Sequence, residues 1–255
     1  MRQVAAAAAS SEGLARGLDR EAVLRALGYR PGRTVASAAA LARVEEGMEQ
    51  ARGLLHPLWL RAEADLACDG PDATLRVPDL ALSWRSPALT AVLGGAERVT
   101  IFAGTVGAAV AEAARAAFSR GEYARAVVLD ACGTAAVQAL AETARAEAAA
   151  AARARGYRVT IPYSPGYGDW DVADTGPLLR AVEARRIGIQ VSDAHYLVPE
   201  KAICGVMGWI RGLAELPQAS GCAICFLPGC RYRKAPPIGQ PGVLLPAAGR
   251  VVGPG

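Results

Sequence analysis

Residues 157–170 read YRVTIPYSPGYGDW. The first half, 157–163, is rich in β-branched and aromatic side chains and reads as a strand. The second half is the loop Ser164-Pro165-Gly166-Tyr167-Gly168-Asp169-Trp170. Two prolines (Pro162 and Pro165) and two glycines impose a fixed, irregular backbone there. Such a backbone lets a ligand approach main-chain N–H and C=O groups. Two aromatics and a carboxylate in the turn suit a flat ring with a polar tail, as in a nucleoside. The competing reading is a structural strand-to-helix turn. A phosphate cradle is not expected, because the chain has no Gly-x-Gly-x-x-Gly or Gly-Lys-Ser/Thr pattern.

Working outward toward the N-terminus, Gly156 closes an alanine-rich helix of about 134–155. Before it come an apolar strand at 126–131, a helix from about 105 to 118, and the strand VTIFA at 99–103. Ser86-Pro87 is a cap with proline in the first turn, opening a short helix that ends at Gly94-Gly95. Two short strands near 73–77 and 80–84, separated by Pro78 and Asp79, suggest a hairpin. LWLRAEADL (58–66) alternates Leu58, Leu60, Ala62, Ala64, Leu66 with Trp59, Arg61, Glu63, Asp65, the period of a half-buried strand. A helix over about 34–55 carries Leu41, Val44, Met48 and Leu55 and breaks at His56-Pro57. The first helix is capped by Asp19 and stops at Gly28. Toward the C-terminus, Thr175 begins a helix to about 184, followed by strands at 187–191 and 202–209. The expected organisation is a flexible N-terminus (1–18) and one mixed α and β unit (19–235) with a helical segment at 19–56. A Pro/Gly-rich tail (236–255) follows.

The 255 residues are 52% hydrophobic and 20% charged with a net charge of +4, which excludes a disordered chain. Arginines are spread through alanine-rich helices beside Glu and Asp, which argues against nucleic acid as a partner. No apolar run approaches the roughly 18 residues of a membrane span, so no membrane association is expected. The opening MRQVAAAAASSEG lacks the apolar core of a secretory signal, and a cytoplasmic location is expected.

Three of the six cysteines, Cys222, Cys225 and Cys230, fall within nine residues. A Cys-x-x-Cys pair with a third thiol suits zinc or an iron–sulfur cluster, and a thiol-exchange pair or inert thiols are the alternatives. The fourth ligand would come from Cys204, Cys132, Cys68, His195 or an external group. The other three cysteines sit at apolar positions, where buried free thiols are expected. Leu129-Asp130-Ala131-Cys132-Gly133-Thr134 reads as a strand-to-helix junction, either a ligand site or an Asp/Thr helix cap. His195, in the apolar segment 194–198, reads as a buried histidine, and His56 as structural. The chain carries no Ser-His-Asp, His-Glu-x-x-His or paired-carboxylate signature of an independent catalyst.

Four segments occur in order: EAVLRALGYRPG (21–32), LDACGTAAVQALAE (129–142), YSPGYGDW (163–170) and SDAHYLVPEK (192–201). Together they resemble the activation domain of cobalamin-dependent methionine synthase, and more closely its short, stand-alone members, over about 19–233. The resemblance implies an α+β fold with a bent antiparallel sheet, flanking helices and a helical N-terminal segment. It also implies S-adenosylmethionine binding and docking on a corrinoid methyltransferase module. There cob(II)alamin is returned to methylcobalamin with an external electron and the methyl group of S-adenosylmethionine.

The family loop has the pattern Arg-x-x-x-Gly-Tyr, its arginine holding the ligand carboxylate. Gly166 and Tyr167 match it, Ser164 takes the small-residue position, and Pro162 stands where the arginine would be, offering neither charge nor donor. The cluster of Cys222, Cys225 and Cys230 resembles an ending of short members and would be a redox centre supplying the electron. The function implied is a reactivation partner in methionine synthesis. The alternatives are a corrinoid-protein binding module or chaperone without S-adenosylmethionine, and a small metal-binding electron carrier.

Overall fold

The alternating stretch at 58–66 and the strand at 99–103 become neighbours in one sheet. The computed structural model describes residues 3–7, 18–30, 32–69 and 74–212. Its main sheet has five strands: β1 (Gln3–Ala7), β2 (Leu58–Asp65), β6 (Ala96–Thr105), β10 (Ala202–Arg211) and β7 (Tyr157–Val159), in the order β1-β2-β6-β10-β7. Every pairing is antiparallel, and the β6–β10 register slips between Trp209 and Ile210. A smaller sheet is made of β3 (Ala67–Asp69), β4 (Thr74–Val77) and β5 (Leu82–Trp84), the last two being the expected hairpin. The two-residue strands β8 (Gln190–Val191) and β9 (Leu197–Val198) form another. The architecture is α+β around a bent antiparallel sheet, as the resemblance implied. Within the stretch expected to be a flexible N-terminus, Gln3–Ala7 pairs along β2 as an edge strand.

Alternation divides the central strands between two cores. Trp59, Phe102 and Met207 point to one face, where they meet Val44 and Met48 of α2 (Ala38–Arg52) and Leu129 and Leu140 of α5 (Tyr123–Arg153). The helices α1 (Arg20–Ala26) and α4 (Ala109–Ser119) complete that layer. Leu60, Ile101 and Val206 point the other way, against Trp84 of β5, Leu89 of α3 (Pro87–Leu93) and Leu178 of α6 (Thr175–Ala181). Each of these fully buried side chains is worth roughly 1.5–3 kcal/mol of apolar transfer. With helices on one face and a helix-plus-hairpin layer on the other, β2 is covered on both sides. Trp59 is therefore buried, and Leu58, at the strand's start, is exposed.

The two expected caps hold: Asp19 accepts from Glu21 N–H and Ser86 from Leu89 N–H, while the helix expected from about 34 begins at Ala38, capped by Ser37, which accepts from Ala40 N–H. One expected strand is a helix, and another is strand only at its end. Residues 126–131 lie inside the 31-residue α5, because Ala126, Leu129, Gly133, Ala136, Leu140, Ala144 and Ala148 form one buried stripe at helical spacing. Residues 187–191 are a short 3₁₀ turn (Ala184–Ile187), a left-handed Gly188 and the brief β8. By length and composition α5 is apolar enough to cross a membrane, which corrects the expectation that no such run exists. In this structure 56% of its most apolar window is buried, against α1, α2, α4 and the sheet.

Candidate functional site

Tyr163 leaves the sheet edge and opens the loop. It pairs with Val206 through two backbone hydrogen bonds, N–H to carbonyl, of 3.0 and 2.8 Å. The approach is so close that a Cβ on Gly205 would meet the Tyr163 carbonyl oxygen at 2.5 Å, so only glycine fits beside it. Ser164 Oγ then donates to the Cys204 carbonyl (2.8 Å), which commits its proton to the sheet.

The loop closes on itself. Gly166 N–H donates to the Trp170 carbonyl (2.8 Å), Tyr167 N–H to Ser164 (3.1 Å), and Trp170 N–H to Tyr167 (3.1 Å). Gly166 and Gly168 hold left-handed φ values of +86° and +58°. At Gly168 a Cβ would sit 2.6 Å from Tyr163 Oη and 2.8 Å from Ala88 Cβ. The loop is thus pressed between the sheet edge and the start of α3.

Its two aromatics part company. Trp170 is 2% exposed, lying parallel to the Tyr163 ring at 6.2 Å and edge-on to Trp84 at 5.5 Å. Its indole N–H donates to Asp174 Oδ2 at 2.7 Å. Burial pushes the Asp174 carboxyl above its ordinary range, and that hydrogen bond partly offsets the rise. Tyr167 turns outward, 54% exposed, with its ring edge-to-face on Tyr163 at 5.6 Å. Asp169, although exposed, commits one carboxylate oxygen to the scaffold. Its Oδ1 accepts from Ser86 Oγ–H at 2.5 Å and from Ala88 N–H at 3.1 Å, at the amino end of α3. The loop therefore presents the Tyr167 ring and a glycine-lined backbone, while Trp170 and Asp169 Oδ1 are tied to the scaffold.

Pro162 precedes this turn on the sheet edge, half-buried, and supplies no guanidinium. Arg158 does not replace one. It stands on β7 opposite Ile210 and donates to the Arg211 carbonyl at 3.4 Å.

The 129–134 segment is corrected. It lies in mid-helix, and Thr134 Oγ1 donates to the Asp130 carbonyl instead of capping a helix. Asp130 and Thr134 nevertheless have a partner that sequence spacing could not reveal. Lys201, with its side chain 11% exposed, places Nζ 2.7 Å from Asp130 Oδ1 and 3.1 Å from Thr134 Oγ1. The second and fourth of the segments read in the sequence are thus joined by an ion pair.

The cysteines divide across the sheet. Cys132 is buried in the helical core and Cys204 in the opposite one. Burial pushes both thiols up to about 12, away from the thiolate that a metal ligand needs. Cys68, expected to be buried, is exposed on β3. His195 is also exposed, at φ +63° on the β8–β9 hairpin, because the two-residue strands carry the turn out of the core. Cys222, Cys225 and Cys230 lie outside the described residues. Among the described residues, no group of three or more His, Cys, Asp or Glu side chains is arranged to hold a metal.

No protein-family profile matches the chain. No curated protein matches it either. Among solved structures it is similar to the MetH reactivation domain bound to AdoHcy. The TM-score is 0.60 at 13% identity, over 84% of this chain and 80% of that one. This likeness establishes the fold.

Proposed function

We propose that the chain is a reactivation partner of a separate cobalamin-dependent methyltransferase of the methionine synthase type, working in the cytoplasm. It would bind S-adenosylmethionine at the Tyr167 loop and dock on the corrinoid module. The observation that carries this reading is an outward tyrosine on a clamped Ser-Pro-Gly-Tyr turn in a fold like that of the MetH reactivation domain. The solved relative holds AdoHcy, the product left when S-adenosylmethionine gives up its methyl group. Restoration of the partner's cofactor would take one electron from an external reductant and the methyl group from S-adenosylmethionine. This chain's own part is to hold the nucleoside. The Tyr167 ring offers a face for the base, and Gly166, where a Cβ would meet nothing closer than 3.9 Å, leaves the backbone beside it open. The ligand's carboxylate gets nothing from Pro162, so its charge stays toward solvent or is met by the partner.

Calorimetric titration with S-adenosylmethionine, alone and with a cobalamin-loaded methyltransferase module, tests the reading. Saturable binding that Tyr167→Ala weakens by about tenfold or more supports it. No heat in either case, with binding to the corrinoid module intact, would replace it with a second reading that Pro162 favours. In that reading the chain is a corrinoid-protein binding module or chaperone that does not use S-adenosylmethionine. The electron-carrier reading rests on Cys222, Cys225 and Cys230 alone. Metal analysis of the wild-type chain against a Cys222→Ser, Cys225→Ser variant decides it.

A further inference from the structure

We infer that Asp169 is a positioning residue for the ligand loop, acting through Ser86 and the start of α3. The inference rests on the reading that the Tyr167 loop takes a nucleoside ligand. A seven-residue turn rich in proline and glycine has its own internal hydrogen bonds, but these fix its shape and not its place on the protein. On the sheet side that place is set by Tyr163 and Ser164, and on the α3 side by bonds between residues more than eighty positions apart.

Ser86 is 1% exposed and uses its hydroxyl twice: Oγ accepts from Leu89 N–H at 3.0 Å and donates to Asp169 Oδ1. One carboxylate oxygen therefore holds both the capping hydroxyl and the Ala88 N–H, while Gly168 fits between Ala88 and Tyr163 with no room for a side chain. Tyr167 is two residues from Asp169, and its ring leans on Tyr163, the other side of the same clamp. Without the Asp169 contact the loop keeps its turn but loses its anchor on α3, and the Tyr167 ring loses its fixed position. Ligand recognition would thus depend on a carboxylate oxygen already committed to Ser86 and Ala88.

The roles of geometry and charge can be separated, because asparagine keeps an acceptor oxygen at Oδ1 and alanine does not. Hydrogen exchange read by mass spectrometry on the full chain, at the Gly166, Tyr167 and Trp170 amides, reports loop anchoring without any ligand. Calorimetry with S-adenosylmethionine reports recognition. For Asp169→Ala the expected result is loop exchange faster by about tenfold or more, with β6 and β10 amides unchanged. S-adenosylmethionine binding should weaken by about tenfold, and Asp169→Asn should restore both.

Loop exchange or S-adenosylmethionine affinity unchanged in Asp169→Ala, or asparagine no better than alanine, overturns the inference. If Asp169→Ala unfolds globally, Ser86→Ala takes its place, retaining the carboxylate bond to Ala88 N–H and giving a smaller loosening of the loop; unchanged loop exchange there overturns the inference equally. If the wild type binds no S-adenosylmethionine, the proposed function fails instead, and the exchange data still decide whether Asp169 anchors the loop.

Discussion

Lys201 Nζ lies 2.7 Å from Asp130 Oδ1, tying the approach to β10 to the middle of α5. The ammonium is nearly buried, while the carboxylate is more than half exposed, so the two ends of the pair are not equivalent.

The first prediction follows from that asymmetry. Asp130→Ala leaves a nearly buried charge with only the Thr134 hydroxyl and should lower the unfolding free energy by about 1–2 kcal/mol. Lys201→Met keeps the aliphatic packing against Gly133, leaves Asp130 to solvent, and should cost less. Denaturant unfolding of the two variants would contradict this if their order were reversed.

Asp174 sets a pH dependence. Its native pKa lies above the unfolded value, so the native state binds more protons than the unfolded one through the window between them. Its contribution is fully present below the ordinary aspartate range and is lost as pH rises through the raised native value. Asp174→Asn can still accept the Trp170 indole N–H and loses the cost of ionisation. It should be neutral or stabilising by under about 1 kcal/mol at neutral pH. Its stability curve should also be flatter than the wild type's across that acidic window, and a steeper curve would contradict the assignment.

Gly168→Ala combines a left-handed backbone with a Cβ that has no space. It should destabilise by about 1–3 kcal/mol and lower the protection of the loop amides. A thermal midpoint equal to that of the wild type would show that the loop does not pack against Tyr163 and Ala88.

Thiol reactivity should follow burial. At pH 8 a thiol pushed up to about 12 is ionised in about one molecule in ten thousand, so Cys132 and Cys204 should stay unlabelled in the native protein. Cys68, exposed on β3, should label readily. Peptide mapping after iodoacetamide treatment, native against unfolded, reads the difference. Native labelling of Cys204 would mean that the loop side of the sheet opens.

Local signals in the sequence were sufficient where one segment carried its own message. Asp19 and Ser86 cap helices, and 58–66 alternates because a strand shows its two faces in turn. The 126–131 run failed because five apolar residues in a stretch of six have no distinctive period. Only the stripe continuing through Ala136 and Leu140 reveals a helix. At the candidate site, Ser164, Gly166 and Tyr167 could be read as a loop, but the fates of Asp169 and Trp170 could not. Their partners Ser86, Ala88 and Trp84 come from a segment about eighty residues earlier, and no spacing rule reaches that far.

The position of β10 has a consequence for the order of events during synthesis. It is the last described strand in the chain, yet it sits inside the sheet, between β6 and β7. Tyr163 has no strand to pair with, and Ser164 no carbonyl to donate to, until residues 202–211 have left the ribosome. The nascent chain must therefore carry an unfinished sheet edge, and its 164–170 loop stays unanchored on that side until almost all of the described residues are made. A chain truncated near residue 200 would keep every residue of the loop and still lack the scaffold that holds it.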